Sequence, residues 1–244
     1  MYFINMKINF KKIKKNLIYA LVPIKEKSER VKSKNFIKLA NKYLFEHTLI
    51  TIKKCNFINK IYLSTDSKLA AKIAREKYKI EVPFMRPKKI SKKFSNDDSY
   101  IFHFLSFLEK NDYLPEYILQ MRVTTPFREV KIIKKAIDKI KINHKSTSLR
   151  SSEIFSHPVE KIFTSKNSFY QDFEGNKIKN EIFNKPSQYF REIYKPNGYV
   201  DILKTTHLLK RRNIYGDKIL KFISPKIIEL DDKEDSNLLK KIYG

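Results

Sequence analysis

A single cysteine, Cys55, stands in 244 residues. An internal disulfide is therefore excluded and no thiolate cluster can form, a usage that suits a reducing cytoplasm. Histidine is sparse as well: the five are scattered without metal-ligand spacing, and His103 on an expected helix and His157 before Pro158 read as structural. Long hydrophobic runs are missing too. The longest uncharged stretch near the N-terminus, Asn16 to Ile24, falls far short of the ~20 residues that span a bilayer, and no signal-type cleavage site accompanies it. No internal repeat and no low-complexity linker divides the chain. Acidic residues are outnumbered, with 26 Asp and Glu against 52 Lys and Arg, for a formal net charge of +26.

Such an excess of positive charge fits phosphate-backbone binding through counterion release. Its distribution does not, because the basic residues are spread through every expected helix and loop and Lys dominates over Arg. Hydrophobic residues make up 41% of the chain, with 18 Phe and 14 Tyr, which is ample apolar material for a core. The length suits one α/β domain. Residues 1–16, rich in lysine, read as a basic N-terminal extension, and residues 17–243 as the domain.

The apolar run Leu17 to Val22 empties directly into a basic and hydroxyl-bearing loop from Pro23 to Asn35. In an open α/β sheet the ligand crevice lies beyond the carboxyl ends of the strands, so a polyanion would sit there. The pattern then continues as helix (41–55), strand (61–64), a cap at Thr65-Asp66-Ser67 and helix (68–78). Residues 82–87 are extended around two prolines. A helix over 97–109, a strand over 117–121, a polar loop from Arg122 to Arg128 and a helix over 129–142 follow. This alternation predicts βαβ units and a mainly parallel sheet with helices on both faces. Residues 146–194 break the rhythm with short alternating segments, 159–164 and 168–173, joined by a turn at 174–176, and read as a protruding arm. A strand at 198–203, a helix at 205–210, strands at 219–223 and 227–230 and a helix at 232–243 complete the chain.

Pro23, Ser28, Arg30, Lys34 and Asn35, followed in order by Ser64-Thr65-Asp66, Val82 to Pro87, Thr124 to Arg128, Lys195-Pro196-Asn197-Gly198 and Glu229-Leu230-Asp231, resemble the signature segments of the sialic-acid-type cytidylyltransferases, which activate nonulosonic acids as CMP-sugars. The resemblance covers about residues 17–243. It implies a Rossmann-like nucleotidyltransferase fold, CTP as donor, a nonulosonic sugar acid as acceptor, Mg²⁺, and a cytoplasmic homodimer in which the arm 146–194 reaches across. It departs at Glu26 and Lys27, where the family has two glycines. Lys25 stands for an arginine, Arg122 for a sugar-contacting glutamine, Ser187 for a carboxylate-binding arginine and Asp201 for a tyrosine. The nucleotide half is thus kept better than the sugar half.

Within that resemblance Lys25, Arg30 and Lys34 become the cations for the triphosphate, and Pro23, Ser28, Asn35 and Arg86 the nucleotide-binding set. Glu229 and Asp231 lie two apart, so on a strand both carboxylates face one side, as a Mg²⁺ site requires; as plain N-terminal charges they would instead favour the last helix. With Ser187 at the arginine position, Arg122 and Arg150 are left to receive the sugar carboxylate. Asp201 would accept hydrogen bonds from sugar hydroxyls or an amino group, or pair with a neighbouring lysine, and Gln188 joins this sugar-binding group. No side chain stands out as a general base. A keto-sugar acid such as the octulosonate of lipopolysaccharide is the second acceptor reading, and a basic nucleic-acid-binding protein that has lost catalysis the alternative from another class.

Overall fold

The computed structural model describes residues 12–27, 33–92, 95–111, 113–179, 181–211 and 213–243. The strands in chain order are β1 (Ile13–Ile24), β2 (Lys38–Leu39), β3 (Lys42–Tyr43), β4 (Lys60–Thr65), β5 (Leu114–Gln120), β6 (Ser148–Phe155), β7 (Thr164–Lys166), β8 (Phe169–Gln171), β9 (Ile193–Lys204) and β10 (Ile219–Ile223). The helices are α1 (Leu44–Lys53), α2 (Lys68–Glu76), α3 (Asp97–Asn111), α4 (Val130–Ile142), α5 (Thr205–Arg211) and α6 (Lys233–Tyr243).

Alternation along β1 explains the layering. Ile18, Ala20, Val22 and Ile24 join one apolar cluster with α1, α2 and α4, while Tyr19 and Leu21 join another with α3 and α5. A strand buried on both faces belongs inside a parallel sheet, and β1 does sit between β4 and β5, parallel to each. The six-stranded sheet runs β10-β6-β9-β5-β1-β4. Only β9 opposes its neighbours, pairing antiparallel with both β5 and β6. The expected mainly parallel sheet with helices on both faces is therefore what forms.

Several boundaries shift from expectation. Ile13 and Lys14 pair with Leu114 and Pro115, and the register then slips at Asn16, whose φ of 62° is tolerated by asparagine. Residues 13–16 thus belong to the sheet and not to an N-terminal extension. The helix expected from residue 41 starts at Leu44, because Ala40 and Asn41 take φ of 45° and 60° and turn β2 back onto β3, the paired positive φ of a type I′ hairpin. Cys55 follows α1 by two residues and is buried; burial pushes its thiol up to about 11. Residues 81–86 run beside β4 with isolated bridges at Tyr62–Glu81 and Thr65–Met85, since Pro83 and Pro87 cannot donate to a ladder.

The segment expected as a strand at 227–230 forms none. Ser224 N still bonds Ser152 O of β6 (3.1 Å), but by Leu230 the chain bonds Thr124 O beyond β5 (2.8 Å). Its partners thus change from β6 to the loop after β5, two strand spacings or about 10 Å across the sheet, so it runs at an angle to the strands and cannot follow any one of them. Leu230 is fully buried with Leu39, Leu44 and Leu239, which fastens this strap and α6 to the body.

The arm is narrower than expected. Residues 148–155 and 193–194 are strand residues of the main sheet, leaving 156–192 outside it. Its hairpin, β7–β8, turns at Asn167 (φ 57°) and not at 174–176, and Val159–Lys161 is a 3-10 turn where a strand was expected. Phe169 and Tyr170 are 77% and 72% exposed there.

Candidate active site

Register places one row of residues across all six strands at the carboxyl end of β5. Tyr62, Leu21, Gln120, Asp201, Arg150 and Lys221 are successive partners on β4, β1, β5, β9, β6 and β10. The row is apolar up to β1 and polar from β5 onward, so the sheet's polar half begins beside the loops that leave β1 and β5.

On the β1 side, Pro23 is the penultimate strand residue, opposite Ser64. Asn35 is buried and its Nδ2 donates to Lys25 O (2.8 Å), tying together the two ends of the loop between them. Lys25 Nζ donates to Lys92 O. Glu26 N donates to Asp66 Oδ1 (2.9 Å), and Ser67 Oγ to Glu26 Oε1 (3.4 Å), which anchors the loop to the end of β4. Lys34 Nζ reaches the C-terminal strap, donating to Leu230 O (3.1 Å) and Asp231 Oδ1 (3.2 Å). Thr124 Oγ1 donates to Glu229 Oε1 (3.0 Å). The loop after β1, the loop after β5 and the strap thus converge on one corner.

On the polar half, Arg122 is held from two sides. Its Nη1 donates to Asp201 Oδ2, and its Nη2 to Asp97 Oδ2 (2.6 Å) and Tyr215 Oη (3.0 Å). Burial alone would lower the Arg122 pKa, but Asp201, Tyr215 and Asp97 outweigh it and raise it. Burial likewise works to raise Asp97, yet the Arg122 charge and hydrogen bonds from Arg122, Gln120 and Tyr100 hold its carboxyl below the usual range. Tyr215 also donates to Asp201 Oδ2 (2.9 Å), and burial followed by the Asp201 charge pushes its phenol up to about 12. Arg150 Nε lies 3.7 Å from Asp201 Oδ1, and its guanidinium carbon sits 4.7 Å from the centre of the Tyr215 ring. Beneath this network Arg86 donates from Nε to Ser64 Oγ (3.1 Å) and from Nη2 to Ser64 O, with its guanidinium carbon 4.8 Å from the centre of the Tyr100 ring.

Residues 19–218 match the cytidylyltransferase family. The chain belongs to that family. It is 28% identical over 233 residues to the CMP-N,N'-diacetyllegionaminic acid synthase of Legionella pneumophila, a match covering 92% of this chain and 95% of the relative. It is 25% identical over 231 residues to the N-acylneuraminate cytidylyltransferase of Escherichia coli, 91% of this chain but 51% of that longer protein. In fold it resembles a CMP:2-keto-3-deoxy-manno-octonic acid synthetase solved with CTP, with a TM-score of 0.64 at 9% identity over 93% of this chain and 98% of the other. A 4-diphosphocytidyl-2C-methyl-D-erythritol synthase gives 0.63 at 9% identity, covering 94% and 99%.

In this cytidylyltransferase five of the expected site residues meet, in two groups. Lys34 meets Asp231, and Arg122, Asp201 and Arg150 form one network. Ser28 and Arg30 lie outside the described residues. Arg86 is 5% exposed and spends two of its nitrogens on Ser64, so it braces the end of β4 from within. Asp201 pairs with arginines, not with a lysine. Gln188 is exposed in a 3-10 turn of the arm (Ser187–Tyr189), outside the Asp201 network.

Asp97, Gln120, Tyr100, Tyr215 and Arg128 were not singled out by sequence reasoning. Gln120 carried a readable signal, a polar residue closing a buried apolar strand. Tyr215 sits in an irregular loop and carried none.

With no strand at 227–230, the expectation that backbone alternation sets the Glu229 and Asp231 carboxylates to one side does not hold: Glu229 Oε1 accepts from Thr124 and Asp231 Oδ1 from Lys34. Each is nonetheless a hard oxygen donor of the kind Mg²⁺ prefers. No group of three metal-ligating side chains occurs among the described residues. The Lys34 ammonium against Leu230 O and Asp231 Oδ1 shows that this corner already accommodates positive charge. Gly198 keeps room for Glu229: at its φ of 62° an added Cβ would lie 3.0 Å from Glu229 Oε1 and 3.2 Å from Thr125 Oγ1. Gly198→Ala is therefore expected to lose about 1–2 kcal/mol of stability from the left-handed backbone and to displace Glu229. Thermal denaturation and a crystal structure of the variant check both.

Proposed function

We propose that this cytidylyltransferase transfers CMP from CTP to the anomeric hydroxyl of a nonulosonic acid and releases pyrophosphate. The observation that carries the reading is the pairing of two subsites at the strand ends: a lysine-bearing loop that reaches the strap through Lys34 and Asp231, and an arginine–aspartate network built on Asp201. The first suits a triphosphate and the second an acidic, hydroxyl-rich sugar. Nearly full-length similarity to a legionaminic acid synthase supports the same acceptor class.

Attack of the anomeric oxygen on the α-phosphorus places charge on nonbridging and leaving oxygens, so positioning and electrostatic stabilisation dominate. Lys25 and Lys34 supply that charge from the β1 side, with Arg30 the third cation of the same loop. Asn35 ties the two ends of that loop together through the Lys25 carbonyl. Mg²⁺, held by Glu229 and Asp231, would supply neutralisation of phosphate oxygens when bound. The exposed aromatics Phe169, Tyr170 and Tyr189 give the arm a surface suited to a second copy of the chain.

Pyrophosphate release from CTP tests the reading, measured with N,N'-diacetyllegionaminic acid, N-acetylneuraminic acid and 2-keto-3-deoxy-manno-octonic acid, with and without Mg²⁺. Release with a nonulosonic acid that depends on Mg²⁺ is expected, together with loss of the Mg²⁺ response in Asp231→Ala. Release with the octonic acid alone would move the acceptor to the second class. Light scattering on the same preparation is expected to give twice the 29.2 kDa chain mass; a monomer would remove the dimer.

A further inference from the structure

Three buried polar atoms without a hydrogen-bond partner among the described residues lie in one line across the sheet: Gln120 Oε1, Asp201 Oδ1 and Arg150 Nε. The ladder sets Gln120 opposite Asp201 and Asp201 opposite Arg150, and opposed residues on neighbouring strands project to the same face about 5 Å apart. Gln120 is the last residue of β5, so this row lies where the crevice of an α/β sheet opens. A buried polar group left unpaired is costly. Consecutive groups without a hydrogen bond at a strand end, two of them only in a long 3.7 Å ion pair with each other, point to a polar molecule that completes them.

The two arginines at the row differ in what they have left to offer. Arg122 meets two carboxylates and a phenol, and its side chain is 19% exposed; a further carboxylate would have to displace Asp97 or Asp201. Arg150 has one carboxylate, at 3.7 Å, and no hydrogen bond from Nε, and its side chain is 35% exposed. The Tyr215 ring backs its guanidinium and fixes its plane, as aromatic faces do for arginine. The next cation in the row, Lys221, donates to Tyr194 Oη (2.6 Å) and sits 3.9 Å from the centre of that ring.

We propose that Arg150 receives the carboxylate of the sugar acid, that Gln120 Oε1 and Asp201 Oδ1 accept from its O–H or N–H groups, and that Arg122 is a positioning residue holding Asp201 in place. The proposal rests on the acceptor reading above. It assigns acid recognition to β6 within the sheet, in place of the position now taken by Ser187 on the arm.

The test compares N,N'-diacetyllegionaminic acid with its C1 amide at saturating CTP and Mg²⁺, using the full chain. Wild type is expected to bind the acid roughly 10- to 100-fold more tightly than the amide, the worth of a charge-assisted hydrogen-bond pair. In Arg150→Gln that preference falls to within about 3-fold while the KM for CTP is unchanged, and Arg150→Lys recovers part of it. A variant that merely loosens the fold would weaken acid and amide together, so an unchanged acid-to-amide ratio in Arg150→Gln overturns the assignment. If wild type takes 2-keto-3-deoxy-manno-octonic acid and no nonulosonic acid, the acceptor reading fails, and the same ratio measured on that acid and its amide still decides for or against Arg150. Wild type that binds neither acid overturns both.

Discussion

Arg128→Met is expected to lower the melting temperature by about 10 °C, a loss of roughly 3–5 kcal/mol in a chain of this size. Arg128 is fully enclosed by its bonds: Nε to Tyr199 O (2.6 Å), Nη1 to Thr48 Oγ1 (3.1 Å), and Nη2 to Gly198 O (3.0 Å) and Arg122 O. One planar group thereby joins α1, the loop after β5 and β9. Methionine fills similar space and leaves those carbonyls buried without a donor. Lysine keeps the charge but cannot span the same fork, so Arg128→Lys is expected to recover little. Burial pulls the Arg128 pKa down to about 9, opposed by Tyr199 and Glu229, which leaves the group charged at neutral pH. Scanning calorimetry on the variants checks this, and a shift under about 3 °C would show that the bonds add little.

Arg122→Gln is expected to cost about 3 kcal/mol at neutral pH, because Asp201, with no exposed side-chain surface, loses the nearer of its two arginine partners and keeps only Arg150 at 3.7 Å. The pH dependence has a definite sign. The folded pKa of Asp97 is depressed below its ordinary value of 3.8 by Arg122 and its hydrogen-bond donors against the opposing effect of burial. Its pairing thus stabilises wild type above about pH 4, and that stability is lost as pH falls through the depressed value. Arg122→Gln lacks this contribution, so the gap in melting temperature should be widest near pH 7 and narrow on acidification below about pH 4. A constant gap across that range would show that Arg122 contributes packing alone.

Much of this fold could be read from hydrophobic rhythm. β1, α2, α4, α5 and β10 fall within a few residues of where periodicity puts them, because each buries a face whose pattern is local. Misplaced elements answered to distant partners. Residues 227–230 have the composition of a strand, but the crossing from β6 to the Thr124 loop leaves them no neighbour to pair with. The start of α1 gave way to a hairpin whose turn, Ala40-Asn41, contains no glycine to announce it. The same division runs through the site. Lys34 and Asp231 were legible through the resemblance of their segments, while the double capture of Arg122 by Asp97 and Asp201 depends on strand register and on α3, and no spacing in the chain encodes it.

Lys34 and Asp231 stand 197 residues apart in the chain. The strap that carries Asp231 follows β10 in the chain, so the sheet beneath it is complete before the strap is made. A nascent chain can therefore own its whole scaffold and still lack the acidic lip of the crevice. Premature release before Glu229 would yield a product with the sheet, the arm and the arginine network but without either strap carboxylate, and without the Leu230 and Leu239 contacts that seal Leu39 and Leu44. Synthesis thus reaches the strap carboxylates only after the architecture that they close.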